Sequence, residues 1–307
     1  MAAVPLRVVD AGDALPTASP AVIVNVPANA IATPAPPRPA ATRPPEPPRR
    51  RQRAPDWLVG LIAQTLGVAL LVVLWSIVAQ HVSSIPGPLK TWYAAAKLFA
   101  DPFYRNGPND QGIGWNVLSS LQRVGIGFGI AAAVGIPLGF VIGRFRFISR
   151  MAEPVISLLR PVSPLAWLPI GLLVFQRADP AATWTIFICS IWPMILNTAQ
   201  GVQRVPQDYL NVARVLGLPE SRVITKILFP AALPYILTGI RLSIGTAWLV
   251  IVAAEMLTGG VGIGFWVWDE WNNLKVEHIV VAIFVIGIVG LLLEQALLLL
   301  ARRLSHE

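Results

Sequence analysis

Six long apolar segments, separated by shorter polar stretches, run along most of the chain. They cover residues 58–80, 117–143, 154–176, 181–199, 233–257 and 279–301. A helix that crosses a bilayer needs about 20 mainly apolar residues. It also satisfies its own backbone hydrogen bonds, as lipid requires. The pattern therefore predicts an all-α integral membrane protein with six transmembrane helices, formed by residues 57–307.

Composition agrees with a membrane location. Of the 307 residues, 55% are hydrophobic and only 13% are charged, whereas soluble domains carry about 25% charged residues. The net charge of +8 is therefore attributed to basic residues that set the orientation in the membrane. We expect membrane lipid to be a partner and nucleic acid not to be one. The single cysteine, Cys189, lies inside an apolar segment, where we expect it to be packed.

The first 56 residues form a separate compositional region. They hold 13 of the 28 prolines and contain no long apolar run. Such a segment buries too little surface to offset the entropy of ordering it. We therefore predict that residues 1–56 are a disordered cytoplasmic tail, of which residues 1–50 are dispensable, and which ends in the basic sequence RRRQR just before the first apolar segment.

The distribution of lysine and arginine predicts the orientation. Sixteen of these residues lie in the tail, the second and fourth connections between segments and the C-terminus, whereas five lie in the connections on the other side. Basic residues accumulate on the cytoplasmic side of membrane proteins. Both termini are therefore expected to be cytoplasmic, as is the connection that contains residues 203–231.

Small residues recur every four positions in the second apolar segment. They are Gly127, Ala131, Gly135, Gly139 and Gly143. This spacing places them on one helical face, where another helix can approach closely. The approaching helix belongs either to the same chain or to a second subunit, and the sequence leaves both possibilities open.

The third apolar segment contains four prolines, at positions 154, 161, 164 and 169. Each proline inside a helix frees a carbonyl group and kinks the axis. Arg160 lies in the same segment, where an unpaired charge would be costly in lipid. We therefore expect the segment to face a water-filled pathway or simply to kink, with Arg160, Pro164 and Trp167 near the path.

A second intramembrane charge, Glu255, lies in the fifth segment and precedes the glycine-rich sequence TGGVGIG. It could pair with Arg160, with Arg241 or with neither. A structural salt bridge and direct contact with the transported substrate are both possible roles. We assign Glu255 provisionally to the translocation pathway.

Residues 211–230 form a polar interruption between the fourth and fifth segments. Tyr209, Val212, Ala213 and Leu216 share one helical face. Gly217 is suited to end that helix, and Pro219 to begin the next one. A short amphipathic helix of this kind either docks into a partner's groove or lies on the lipid headgroups.

The spacing in this interruption resembles the cytoplasmic loop of ABC-transporter importer permeases. That loop reads E-A-A, three residues, G, nine residues, I-x-L-P. Here Asn211-Val212-Ala213 precedes Gly217 by the same distance, and Ile227-Leu228-Phe229-Pro230 follows nine residues later. Asn211, Val212 and Phe229 depart from the family's usual residues, and Asn211 lacks the carboxylate of the family's glutamate.

The resemblance covers roughly residues 57–305. LRPVSPLAWLPIGLLVF is similar to the third-segment signature of the nitrate, sulfonate and taurine branch. DPFYRNGPNDQGIGW, QDYLNVARVLGL and AAEMLTGGVGIG look most like nitrate permeases, which have bicarbonate and cyanate relatives. The resemblance thus implies an importer for a small anion, with nitrate (or nitrite) first and a sulfonate or taurine as the alternative.

The family also implies an architecture and a set of partners. The fold would be that of a type I (MetI-like) importer permease in the bacterial inner membrane. A second permease subunit, two cytoplasmic ATPase subunits that bind ATP and Mg²⁺, and a periplasmic anion-binding protein would complete the transporter. The resemblance assigns ATPase coupling to residues of the loop, namely Tyr209, Asn211, Val212, Ala213, Arg214, Leu216, Gly217 and Leu218.

Two other classes of function fit less of the sequence. The chain has no G-x-x-x-x-G-K-[ST] motif, and none of its four lysines follows a glycine, so it is expected to lack a phosphate-binding loop. No cluster of catalytic or metal-ligating residues lies within the apolar segments, which argues against an enzyme. A secondary transporter driven by an ion gradient remains the alternative, and would need no ATP.

Overall fold

The computed structural model describes residues 56–304, and the predicted disordered tail lies outside them apart from Asp56. Residues 56–304 form helices joined by turns and loops, with no β-strand. The helices are α1 (Asp56–His81), α2 (Pro88–Ala100), α3 (Ile113–Arg144), α4 (Arg146–Leu159), α5 (Leu168–Phe175), α6 (Ala178–Gln203), α7 (Gln207–Val215), α8 (Glu220–Val223), α9 (Phe229–Thr258), α10 (Ile263–Asn272) and α11 (Val276–Leu304).

Five of the six predicted spans are continuous helices that are long and apolar enough to cross a bilayer. They are α1, α3, α6, α9 and α11. A short π-helical turn, Ile224–Leu228, joins α8 to α9. The positions of these five spans therefore agree with the prediction from hydropathy.

The third predicted span, residues 154–176, is not one straight helix. Helix α4 ends at Leu159, and the chain resumes at Pro164 with a 3₁₀ turn that leads into α5. The two parts meet at 94°. The prolines explain the break, because Pro161 and Pro164 cannot donate backbone hydrogen bonds and disfavour a helical conformation in the residues before them. The predicted kink is confirmed, but it is sharper and the first half begins earlier than expected.

The core of the described fold is a layer of three helices in which α6 lies between α3 and α9. The glycines of the four-residue ladder face α6. A β-carbon added at Gly127 would lie 2.8 Å from Ile186, and one at Gly143 would lie 2.8 Å from Val202. The ladder is therefore used for packing within the chain, which was one of the two roles that the sequence left open.

Replacing Gly139 with alanine is expected to destabilise the permease. The new β-carbon would lie 2.6 Å from the Thr198 β-carbon and 2.8 Å from the Ile195 carbonyl oxygen. Overpacking of this kind costs about 1–3 kcal/mol. Gly129→Ala on the same helix is the matched control, because nothing lies within 4 Å of its added carbon. Thermal unfolding in detergent measures the difference, and equal melting temperatures for the two variants would contradict this packing.

Candidate functional site

The loop between the fourth and fifth long helices contains a short helix with a well-defined end. Helix α7 stops where Gly217 adopts a positive φ of 64°. The Gly217 N–H donates to the Arg214 carbonyl (3.1 Å), and the Leu218 N–H donates to the Ala213 carbonyl (3.0 Å). These two bonds define a Schellman motif. The predicted glycine cap is confirmed, and it turns the chain sharply toward α8.

The two sides of α7 have different environments. Tyr209, Val212 and Leu216 are 60%, 57% and 67% exposed, and Val215, which was not predicted to take part, is 87% exposed. We call these four residues the apolar α7 face. They form an exposed hydrophobic surface on a polar loop, which is typical of a contact with either a partner protein or the membrane surface.

Ala213 corrects one prediction, because it does not belong to the apolar α7 face. It is 1% exposed and packs in a cluster with Val205, Val223 and Leu228 of its own chain. On α7, Ala213 lies at the border of the predicted apolar face, on the side of Leu210. Other residues of the same chain cover this side. Ala213 therefore supports the loop from inside. A partner would reach Asn211 and Arg214, which are exposed and joined by a 3.2 Å hydrogen bond, but not Ala213.

An ion pair anchors the far end of the loop. Arg144, the last residue of α3, donates to Glu220 at the start of α8 with an Nε–Oε1 distance of 2.7 Å. From Glu220 the chain continues helically through the π turn into α9. From Glu220 onward the loop is therefore continuous with a core helix.

The second site is a buried ionic cluster around Glu255. The Glu255 carboxylate is 1% exposed. It accepts hydrogen bonds from Arg123 Nη1 (2.6 Å), Ser120 Oγ (2.8 Å) and the Gly264 N–H (3.0 Å). Arg123 also pairs with Asp179 at the start of α6 (2.6 Å). The cluster thus ties together α3, α6 and α9, the three helices of the core.

This arrangement decides among the pairings that the sequence left open. The partner of Glu255 is Arg123, so of the alternatives left open, a pair with neither Arg160 nor Arg241 is the correct one. Arg241 instead pairs with Glu294 on α11, through a 3.0 Å bond from Nε. Both oxygens of the Glu255 carboxylate accept hydrogen bonds from groups of its own chain, which favours a structural salt bridge over contact with substrate.

The glycines after Glu255 are required by close contacts. A β-carbon at Gly262 would lie 2.4 Å from the Glu255 carboxyl carbon, and one at Gly264 would lie 2.0 Å from the Val252 carbonyl oxygen. The backbone N–H groups of Gly262 and Ile263 donate to Asn116 Oδ1 (2.9 Å) and Ser120 Oγ (3.0 Å). The glycine-rich loop therefore wraps around the buried carboxylate.

Sequence reasoning did not assign Asn116, Ser120 or Arg123 to this cluster. Arg123 carried a usable signal, since a charge inside an apolar segment requires a partner. The two neutral residues carried none, because short polar side chains are common in membrane helices. The cluster borders an open cleft of 910 Å³ between α3 and α6, whose walls include Gln122, Arg123 and Thr183.

The remaining predicted pathway residues lie at the break between α4 and α5. Arg160 is exposed at the end of α4, and none of the ion pairs among residues 56–304 includes it. Pro164 begins the 3₁₀ turn, which Trp167 ends. The Trp167 indole nitrogen is buried and meets no acceptor among the described residues.

Comparison with known proteins identifies the class. Residues 135–306 match the family described as "Binding-protein-dependent transport system inner membrane component". A nitrate import permease protein, NrtB, of Synechocystis sp. is 46% identical over 81% of this chain and 91% of that protein. The chain belongs to this family of transport permeases, and the predicted all-α fold with long apolar helices is confirmed for residues 56–304.

Other similar proteins differ in what their names say they carry. A bicarbonate transport system permease protein, CmpB, of Synechococcus elongatus is 43% identical over 78% of this chain and 87% of that protein. Among solved structures, a chain of the MetNI methionine ABC transporter in an inward-facing conformation aligns with 59% of this chain and 94% of that chain, at 14% identity and a TM-score of 0.47.

Proposed function

We propose that this chain is the membrane permease of an ATP-driven importer for nitrate. The observation that carries the proposal is the combination of the capped α7 loop with the similarity to nitrate permeases, which reaches 44–46% identity over most of the chain in two of them. The loop supplies the connection to an energy source. The similarity supplies the substrate class, a small oxyanion.

The apolar α7 face is the surface through which the permease would meet an ATPase subunit. Its four exposed side chains project from a short helix whose inner side is fixed by Ala213 and whose continuation leads to α9. ATP and Mg²⁺ would be bound by the partner. Closure of two ATPase subunits would push on α7 and, through the ion-paired α8 and the π turn, on the core.

The complete transporter contains two permease subunits, two ATPase subunits and a periplasmic anion-binding protein. It lies in the bacterial inner membrane with both termini in the cytoplasm. The excess of basic residues on the side of the α7 loop supports this orientation.

Arg160, Pro164 and Trp167 are proposed to line the pathway at the α4–α5 break. The 94° break frees backbone carbonyls that lipid would leave unpaired. The indole N–H of Trp167 is a donor without an acceptor among residues 56–304, and the Arg160 guanidinium carries a positive charge. Both suit an anion. Glu255 instead keeps the core helices together.

Bicarbonate is the second candidate substrate. The 43% identity to bicarbonate permeases is close to the value for nitrate permeases, and both anions are small, planar and singly charged. A sulfonate or taurine is larger and tetrahedral at the charged end, and is the third candidate.

ATP-dependent uptake of labelled nitrate into proteoliposomes tests the function. The permease is reconstituted with its ATPase and binding-protein subunits, and bicarbonate, cyanate and taurine are added as competitors. We expect uptake that needs ATP, and an Arg160→Gln variant at least tenfold slower than wild type. Lys97→Gln, an exposed change on α2, is the control. Uptake driven by an ion gradient without ATP would refute the class, and stronger competition by bicarbonate than by nitrate would reassign the substrate.

A further inference from the structure

A second cavity lies at the opposite end of α3 from the Glu255 cluster. It measures 740 Å³ and lies among the end of α3, the start of α4, the end of α6 and the start of α7. Its lining is rich in donors, namely Arg144, Arg146, Ser149, Arg150, Gln203 and Gln207. None of the residues proposed for the pathway or for ATPase docking lines it.

The charge in this cavity is positive and largely unpaired. Arg144 pairs with Glu220, but Arg146 and Arg150 have no carboxylate within ion-pair distance among residues 56–304. They are separated by four residues on α4 and therefore lie on the same side of the helix. Glu153 on α4 and Asp208 on α7 make no ion pair with them. Two free guanidinium groups side by side suit an oxyanion, since each can donate two parallel hydrogen bonds.

The exposed apolar side chains of α4 indicate where the cavity lies relative to the membrane. Phe147, Met151, Val155 and Leu158 lie on another face of α4 and are 78%, 61%, 52% and 71% exposed. Arg146 and Arg150 lie in the first turns of α4, directly after the end of the long apolar helix α3. Arginines at the end of a membrane span reach the headgroups, whereas exposed apolar side chains of the span face lipid. The apolar face would then enter the acyl-chain region, and the arginines would be at headgroup level.

We propose that this cavity binds the phosphodiester headgroup of an anionic phospholipid. Arg146 and Arg150 hold the phosphate oxygens, and Ser149 and Gln207 offer further hydrogen bonds to the headgroup. A lipid has the advantage over a soluble anion that its acyl chains can lie along the apolar face of α4. Because Gln207 and Leu210 belong to α7, an occupied cavity would also link α4 to the loop helix.

Native mass spectrometry of the full-length permease with its co-purified subunits tests the proposal. The complex in detergent is titrated with phosphatidylglycerol or phosphatidylcholine, and bound lipid is counted. Arg146→Gln combined with Arg150→Gln should weaken phosphatidylglycerol binding roughly 30-fold, since each basic residue near a lipid surface contributes about a factor of five. Phosphatidylcholine, whose choline cation cancels the phosphate charge, should bind wild type more weakly and lose less affinity in this variant.

The control is Arg222→Gln with Lys226→Gln, which removes the same charge from exposed positions outside the cavity lining. It should leave phosphatidylglycerol binding within twofold of wild type. Equal losses in the two double variants would overturn the proposal, because the attraction would then be a general effect of charge. An equal affinity for the two lipids would also overturn it.

Two further arms separate the lipid from other occupants. If inorganic phosphate at millimolar concentration displaces the lipid and binds alone with similar affinity, the site takes a free anion and the lipid proposal is wrong. If the cavity variant keeps its lipid but loses its ATPase subunits, the arginines bind a protein and the proposal is again wrong. The number of bound lipids is measured without any transport. A permease that fails in nitrate uptake but still binds phosphatidylglycerol therefore refutes only the proposed function.

Discussion

Replacing Arg123 with methionine is expected to destabilise the permease by about 3–5 kcal/mol, the range for removing one partner of a buried ion pair. The change leaves Glu255, which is 1% exposed, with a buried charge and only neutral donors around it. Arg123 is itself 13% exposed, so solvent can replace little of what is lost. Thermal unfolding of the purified permease and its abundance in the membrane measure the effect.

A double variant shows that the loss comes from the stranded charge. Arg123→Met with Glu255→Gln removes both charges, and we expect it to regain most of the stability, since Ser120 and the Gly264 N–H still bond to the amide oxygen. Arg144→Met is the matched control, because its pair with Glu220 lies at the end of a span, is 31% and 49% exposed, and exposed pairs contribute about 0–1 kcal/mol. If Arg123→Met and Arg144→Met have equal effects, the Glu255 cluster does not hold the core together.

Changing Leu216 to aspartate is expected to reduce recovery of the ATPase subunits at least tenfold without affecting the stability of the permease. Leu216 is 67% exposed in this chain, so a charge there is solvated until a partner covers it. At a docked apolar surface the same charge would be buried without a counter-ion, which is strongly unfavourable. Co-purification in detergent, normalised to the amount of permease, measures the effect.

Ala213→Glu distinguishes docking from folding. Since Ala213 is 1% exposed and packed against its own chain, this variant should lose thermal stability before any partner is added. Leu274→Asp is the control for an exposed leucine elsewhere, because Leu274 is 80% exposed between α10 and α11. It should retain both the ATPase and the stability. Full ATPase recovery with Leu216→Asp would show that α7 is not the docking element.

The features that the sequence predicted correctly are those encoded within about 20 consecutive residues. The five continuous spans follow from apolar length alone, because lipid leaves the backbone no alternative to a helix. The end of α7 at Gly217 follows from the tolerance of glycine for positive φ. The proline break between α4 and α5 was expected for a similar local reason, although its angle was not.

Contacts between distant parts of the chain required the tertiary structure. The sequence suggested Arg160 and Arg241 as possible partners of Glu255, whereas the actual partner, Arg123, lies 132 residues away along the chain. Ala213 is small and apolar, as a docking residue would be. Whether its side of α7 is exposed, however, depends on how the loop packs against α9. The glycine ladder of α3 predicted a close neighbour without showing which helix would be that neighbour.

The sequence by itself thus determined where the chain crosses the membrane, where it turns and, through the spacing of the loop, which class of transporter it belongs to. Each of these depends on local hydrophobicity, local backbone preference or a fixed interval along the chain. Only the tertiary structure decided which charges pair, which side of α7 is free and that Arg146 and Arg150 share a cavity with the loop helix. Those outcomes depend on the rotation and crossing of helices far apart in the chain, which are decided by the packing of all their side chains together.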